Sequence, residues 1–219
     1  MKDSTGIPLL EQLLQLIGSQ RKVFRQERTY QRAVGLIFGE LFTFARHTVT
    51  QGLLALGLTD ADWSAWYRLL SHNRFSPERA SEGVLEESLK HTRQEDAYVI
   101  GVDGVQVPRS STKMPGTSWL KAAHTAAFKP GIHRAQRFVN LSWLVPQEAG
   151  FSRAIPLKWM PAYTAKAVPA AVEPQKEWEA ALKGIEWVRQ RLDQSGCGMQ
   201  RLLVLADGGF ERVVEFWKH

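Results

Sequence analysis

The pattern of hydrophobic and polar positions changes near residue 98. Over residues 8–91 the apolar side chains recur at helical spacing, with breaks near residues 18–19, 57–60 and 73–77. At the third break, Ser76 can cap a helix whose first turn contains Pro77, a common pairing at helix starts. The pattern therefore predicts an all-helical N-terminal domain over residues 1–97.

From residue 98 onward the pattern is typical of strands and one long helix. The predicted elements are strand, Asp-Gly turn and strand over 98–108, a long loop over 110–130, strands over 137–145 and 154–159, a helix over 173–194, a buried-type strand over 201–207 and a helix from 210 to 217. The predicted fold class is thus α+β or α/β. A helical N-terminal domain precedes a partial mixed sheet with helices over residues 98–219.

The charge of the chain is concentrated in one segment. The formal net charge is +6, yet residues 98–170 hold nine Lys and Arg against two acidic residues. Basic side chains that neutralise phosphates gain affinity through counterion release, so this segment favours a nucleic-acid partner. The alternative is a basic surface that is merely solvated.

Several classes of protein are disfavoured by composition. No stretch reaches the roughly 18 apolar residues of a membrane span, and the N-terminus lacks the features of a signal peptide. The single cysteine, Cys197, excludes an internal disulfide, and the six histidines show no zinc-binding spacing. We expect a cytoplasmic protein with no membrane partner.

Two aspartates stand in matching contexts. Asp103 and Asp207 each close an apolar run, YVIGVD and LLVLAD, and each is followed by glycine. Ligand sites of open α/β sheets lie outside the carboxyl ends of the strands. If the two strands are parallel neighbours, we expect the carboxylates within about 8 Å of each other, a separation that suits a two-metal site. The structural alternative is that each Asp-Gly pair is only a turn.

A divalent cation bound between two neighbouring carboxylates would neutralise the repulsion between their charges. Mg²⁺ accepts such oxygen ligands and keeps waters for a phosphate substrate, and Mn²⁺ is the expected substitute. Asp103 and Asp207 are therefore the predicted metal ligands and catalytic residues of a phosphoryl-transfer site.

Candidate DNA contacts lie in both halves. Residues 31–57 could form a helix-turn-helix, and, if residues 21–32 are read as one helix, their arginines form a basic stripe along it. The predicted phosphate contacts are Arg21, Arg25, Arg28, Arg32, Arg46, Lys113, Lys121, Lys129, Arg134 and Arg137.

Three passages resemble bacterial insertion-sequence transposases with a ribonuclease-H-like DDE domain. They are residues 99–116 (VIGVDGVQVPRSSTKMPG), 153–157 (RAIPL) and 203–210 (LVLADGGF). Residues 46–57, 62–64 and 67–68 resemble the N-terminal domain of the same proteins, so the likeness spans nearly the whole chain. The resemblance implies that Asp103 and Asp207 are the first two acids of the catalytic triad. It also implies a double-stranded DNA substrate, comprising element ends and target, and leaves room for a homodimer.

The third acid of the triad is not assigned by the sequence. In the resembled proteins it is usually a Glu on a later helix, whereas Glu211 and Glu215 directly follow the strand of Asp207. We expect a truncated or partial catalytic domain that does not transpose DNA by itself, with apolar residues of its last elements partly uncovered: Leu203, Leu205, Phe210 and Phe216. The alternatives are a non-catalytic DNA-binding remnant and a host ribonuclease-H-like nuclease.

Overall fold

A computed structural model describes residues 8–122, 125, 128–129, 131–146, 150–168 and 172–211. Backbone contacts divide the chain into two compact units, residues 1–83 and 84–219. Residues 84–97, which the pattern groups with the N-terminal domain, belong to the second unit. The division at 97/98 as a functional boundary stays a prediction.

The described part of the first unit is helical, as its spacing of apolar residues predicts. Its elements are α1 (Pro8–Ser19), a 3₁₀ turn (Gln20–Val23), α2 (Glu27–Phe42), α3 (Val49–Ala55), α4 (Ser64–Ser71) and the start of α5 (Pro77–Leu89). The Ser76 hydroxyl accepts from the backbone N–H of Arg79 at 3.3 Å, which confirms the predicted cap of α5.

The predicted helical stripe of arginines over residues 21–32 is wrong. Arg21 lies in the 3₁₀ turn and Arg25 in the connection that follows, whereas α2 begins only at Glu27. Phe24 is extended and forms an isolated bridge with Phe75, and this long-range pairing interrupts the helix. Only Arg28 and Arg32 lie on a common helix.

Helices α2 and α3 form the pair that the sequence predicts as a helix-turn-helix. They approach through two glycines, since a Cβ added at Gly39 would lie 3.0 Å from the Cα of Gly52. The connection 43–48 ends at Thr48, whose hydroxyl caps α3 by accepting from the Gln51 N–H at 3.2 Å. Close backbone approach therefore fixes how these two helices meet.

The second unit contains a five-stranded mixed sheet, β1 (Tyr98–Pro108), β2 (Thr117–Lys121), β3 (Ile132–Leu144), β4 (Ala154–Pro161) and β5 (Leu202–Ala206), with α6 (Glu177–Gln194) and α7 (Gly208–Glu211). Strand β1 pairs antiparallel with β3 on one side and parallel with β5 on the other. The long β3 pairs with β2 through its first part and with β4 through its second. This α+β arrangement agrees with the predicted ribonuclease-H-like fold.

Two sequence predictions in this unit are wrong. Strand β1 does not turn at Asp103-Gly104, because the ladder to β3 continues through Gly104↔Val139 and Val105↔Phe138. The segment 110–130 is not one loop, because residues 117–121 form β2 against an extension of β3 that starts at Ile132. In both cases long-range pairing with β3 overrides local turn signals.

The core of the second unit lies between the sheet and α6. Alternate residues of β1, namely Tyr98, Ile100 and Val102, are buried there, and Gly184 of α6 lets the fully buried Leu141 approach the helix. The Tyr98 hydroxyl is hydrogen-bonded to Ser88, and burial raises the pKa of Tyr98 to about 12. This core holds β1 and β5 side by side.

The opposite face of the sheet is partly uncovered. Leu203 and Leu205 are each 49% exposed, as predicted, but Phe210 is buried, so that prediction is wrong. Helix α7 begins at Gly208, earlier than predicted, and carries Phe210 into the core. Phe216 and the predicted end of this helix lie outside the described residues.

No helix in the described ranges is long and apolar enough to cross a membrane.

Candidate active site

The two predicted catalytic aspartates follow paired residues on neighbouring strands. Val102 of β1 and Ala206 of β5 are the last partners in the parallel ladder, and the next residues are Asp103 and Asp207. Neighbouring strands lie about 4.8 Å apart, so the backbone brings both residues to one edge of the β1–β5 pair. The parallel neighbourhood is confirmed, whereas the separation of the carboxylates stays a prediction.

Asp207 is oriented by the start of α7. Its Oδ1 accepts from the backbone N–H of Gly209 at 2.9 Å. A Cβ at position 209 would lie 2.9 Å from the same oxygen, so glycine permits this close approach. Asp207 is exposed and lines a cavity of about 680 Å³. The aspartate is thus held in place and remains accessible to a ligand.

Asp103 has a polar neighbour across the sheet that the sequence did not single out. Asn140 of β3 is its partner in the antiparallel register, which places the two side chains on one face with Cβ atoms about 5 Å apart. The Asn140 Nδ2 donates to Ser142 Oγ at 3.0 Å, while Oδ1 is buried and has no hydrogen-bond partner among the described residues. In the sequence, the only local indication that Asn140 has a special role was an amide side chain in the middle of an apolar strand.

These side chains suit a hard divalent cation. Asp103, Asp207 and the unpartnered Oδ1 of Asn140 offer oxygen atoms, which Mg²⁺ and Mn²⁺ prefer over nitrogen or sulfur. In the described ranges no group of three or more His, Cys, Asp or Glu could hold a metal ion on its own. Magnesium sites in proteins use one or two carboxylates and complete their shell with water and substrate phosphate.

An ion pair lies in the cavity beside Asp207. The Arg137 Nε of β3 is 3.4 Å from Oε1 of Glu177, the first residue of α6, and this buried Nε makes no hydrogen bond within the described part of the chain. Gly104 leaves room for the pair, since a Cβ there would lie 2.9 Å from Glu177 Oε1. The sequence predicted Arg137 as a phosphate contact but missed Glu177, which looks like an ordinary first-turn acid.

Tyr163 adds a phenol to the same cavity. Burial raises the pKa of Tyr163, and the nearby Arg109 acts in the opposite direction. The phenol therefore stays protonated and can donate a hydrogen bond at neutral pH.

The other predicted cations of the second unit surround β2. Arg134 donates to Thr117 Oγ1 at 3.0 Å and to the Thr112 carbonyl at 3.2 Å, so it holds β2 and the preceding connection. Its position in β3 directs it to the face opposite Arg137. The structure thus does not bring these two arginines together. The exposed lysines of this region are Lys113, Lys121 and Lys129.

The predicted cations of the first unit differ in their surroundings. Arg21 pairs with Glu27 at 2.5 Å and donates to the Phe24 carbonyl at 2.8 Å, so its guanidinium supports the entry into α2. Arg25 and Arg28 are exposed, Arg32 is half-buried, and Arg46 is exposed just before α3. Their contacts with DNA stay predictions.

The comparison with known families agrees with this geometry. A family model described as DDE superfamily endonuclease matches residues 12–218, which include both aspartates. The chain therefore belongs to the DDE superfamily endonucleases. Enzymes of this superfamily generally use divalent metal ions and act on DNA. No curated protein matched the chain.

Proposed function

We propose that the protein is a DNA transposase, which cleaves strands at the ends of an insertion sequence and joins them to target DNA. The observation that carries this proposal is that Asp103 and Asp207 each follow the last paired residue of the parallel ladder between β1 and β5, and that Asp207 also lines a cavity. In the proposed reaction, water attacks the phosphorus atom and the bond to the 3′ oxygen breaks. The freed 3′-OH then attacks a phosphate of the target and displaces its 3′ oxygen.

The roles of the side chains follow from their chemistry. Asp103 and Asp207 would hold Mg²⁺, or Mn²⁺ in its place, and we propose the Asn140 amide oxygen as a further ligand because Asn140 is the partner of Asp103 in the antiparallel register. A bound divalent ion would supply electrostatic stabilisation of the phosphate charge and activation of the attacking oxygen. Arg137 lines the cavity together with Asp207, on the face of the sheet opposite Asp103 and Asn140, and would bind a substrate phosphate there.

The DNA duplex would be bound by the basic segment 98–170. Strands β2 and β3 present Lys121 and Arg134, together with Trp119, which is 67% exposed and lies opposite Arg134 in the register. An exposed tryptophan flanked by cations is suited to contact a base or sugar while the cations contact phosphates. Lys113 and Lys129 extend the same basic surface on the adjoining connections. The proposal includes cytoplasmic action as a homodimer on two element ends.

The third acid determines what residues 1–219 can do alone. The resembled transposases place it on a helix later than the one after Asp207, and none of these residues is assigned that role. We therefore propose that the 219-residue polypeptide binds DNA and a divalent ion but does not cleave. Loss of one member of a cooperating catalytic set costs orders of magnitude in rate.

The test is a strand-cleavage and joining assay on DNA that carries the element's own ends, with Mg²⁺ and with Mn²⁺. The 219-residue chain is compared with any longer polypeptide that its gene encodes. We expect cleavage and joining only where the third acid is supplied, abolished by Asp103→Ala or Asp207→Ala. Mn²⁺ affinity, measured by calorimetry without DNA, should fall in both variants and in Asn140→Ala.

Each contrary outcome has a distinct meaning. Cleavage without strand joining would replace the transposase with a ribonuclease-H-like nuclease. Robust cleavage by the 219-residue chain, abolished by Asp103→Ala, would refute the proposed inactivity. Normal cleavage by the Asp103→Ala variant of any form that cleaves DNA would refute the site itself.

A further inference from the structure

Three arginines of the first unit line one concave site, called the arginine notch below. Arg32 comes from α2, Arg68 from α4 and Arg74 from the connection between α4 and α5. The notch has a volume of about 220 Å³. These residues are far apart in sequence, and only the packing of α2 with α4 brings them together.

The acid in the notch does not balance this charge. Asp62 is the single acidic side chain among the described lining residues. Its Oδ1 already accepts from the N–H of Ser64 at 3.0 Å and from the Ser64 hydroxyl. Its Oδ2 lies 3.7 Å from Nη2 of Arg68, too far for a hydrogen bond. One carboxylate therefore shares the notch with three arginines and makes no hydrogen bond to a guanidinium group among the described residues.

Asp62 remains ionised near neutral pH. The hydrogen bonds from the hydroxyl and N–H of Ser64 lower its pKa, and the charges of Arg68 and Arg32 add to the effect. The notch thus keeps an excess of two positive charges, and no ion pair of Arg32 or Arg74 with a carboxylate is found within the described ranges.

The backbone around the notch is well fixed. Phe75, next to Arg74, bridges to Phe24, and the Ser76 N–H donates to the Val23 carbonyl at 3.3 Å. Leu69, next to Arg68, is buried. Convergent cations repel one another, and an exposed pair such as Arg68–Asp62 contributes little stability. Folding stability therefore gives no reason for this arrangement, whereas a bound anion does.

We propose that Arg32, Arg68 and Arg74 bind a backbone phosphate of duplex DNA in the notch. The planar guanidinium group donates two parallel hydrogen bonds to phosphate oxygens, and several such groups around one concave space suit a single tetrahedral anion. This inference rests on the proposed function, because it takes DNA as the ligand. It assigns a contact site to the first unit in addition to the basic segment 98–170.

The test measures binding of the full chain to a fluorescent duplex over a range of salt concentrations. Replacing all three arginines with alanine should weaken binding by about tenfold or more, as expected for lost charge-assisted hydrogen bonds. The slope of log affinity against log salt should fall by about 0.9, the value for one phosphate, and not three times that amount. The single variants should accordingly be non-additive.

Matched variants distinguish phosphate binding in the notch from a general effect of positive surface charge on DNA affinity. Arg79→Ala removes an exposed arginine of the same unit that does not line the notch, and should change affinity less than twofold, since a screened surface charge has little effect. Asp62→Asn keeps an oxygen acceptor for Ser64 but removes the charge, and should strengthen binding severalfold, whereas Asp60→Asn should not. A misfolded variant would lose DNA affinity, so misfolding cannot explain a gain of affinity in Asp62→Asn.

Three results would overturn the inference. One is an unchanged affinity and slope in the triple variant while the wild type binds DNA. Another is an equal effect of Arg79→Ala. The third is saturation of the notch by inorganic phosphate with no effect on DNA binding, which would leave an isolated anion site. The cleavage assay is independent, so the proposed function can survive the loss of the notch.

Discussion

Replacing Glu177 with glutamine should increase affinity for DNA, although the change lies in the candidate active site. In the free protein the Glu177 carboxylate is 3.4 Å from Arg137 Nε, and a substrate phosphate must compete with it for the same guanidinium. Glutamine keeps the size of the side chain but removes the charge that holds Arg137. The variant therefore releases the arginine for phosphate.

The size of the gain follows from the exposure of the pair. The side chains of Arg137 and Glu177 are 30% and 36% exposed, so solvent screens their attraction. Partly exposed pairs contribute about 0.2–1 kcal/mol. Because 1.4 kcal/mol corresponds to about tenfold in affinity, the gain should not exceed about fivefold. Stability should change by less than about 1 kcal/mol, since the carboxylate also favours the first turn of α6 only weakly.

The assay is fluorescence anisotropy with a duplex at fixed ionic strength, analysed as a double-mutant cycle. Glu177→Gln is measured in the wild type and in an Arg137→Gln background, where the gain should disappear. Glu173→Gln is the matched control, because Glu173 is exposed nearby and makes no ion pair within the described residues. An equal gain in both backgrounds, or an equal gain from Glu173→Gln, would refute competition for Arg137.

Two further predictions concern packing and charge. Gly39→Ala should destabilise the first unit by about 1–2 kcal/mol in urea unfolding, because its Cβ would meet the Gly52 backbone at 3.0 Å. Gly52→Ala, whose Cβ would lie 3.5 Å from Gly39, should be neutral or stabilising by up to about 1 kcal/mol. If Gly39→Ala and Gly52→Ala lost the same amount of stability, the result would contradict this packing. Replacing the exposed Lys113, Lys121 and Lys129 with alanine should lower the slope of log DNA affinity against log salt concentration by up to about 3. An unchanged slope would show that these lysines do not contact phosphate.

Local signals were sufficient for much of the fold. Helical spacing over residues 8–91 and the apolar face of 173–194 predicted helices that the structure contains, because amphipathic periodicity is a local property. The same signals failed at Gly104, where a turn dipeptide lies inside an uninterrupted strand, and at residues 117–121, where a polar segment forms β2. In both places the deciding interactions are hydrogen bonds to β3, which local sequence does not contain.

The candidate site shows the same division. That Asp103 and Asp207 follow neighbouring parallel strands could be predicted, because an acid directly after an apolar strand is conspicuous in the sequence and the chain order suggested that the strands are parallel. Asn140 and Glu177 could not be predicted. They reach the site only through the antiparallel register of β3 and the start of α6, which join residues far apart along the chain.

The arginine notch depends on tertiary structure to the greatest degree. A helical periodicity placed Arg32 in a stripe that the break at Phe24 abolishes, while Arg68 and Arg74 carried no local signal. Composition and strand ends thus determined the class of chemistry, since they follow from residue types and their near neighbours. Which arginines line one notch was decided only when helices α2 and α4 packed, because hydrophobic burial sets the positions of the helices without regard to the charges that they bring together.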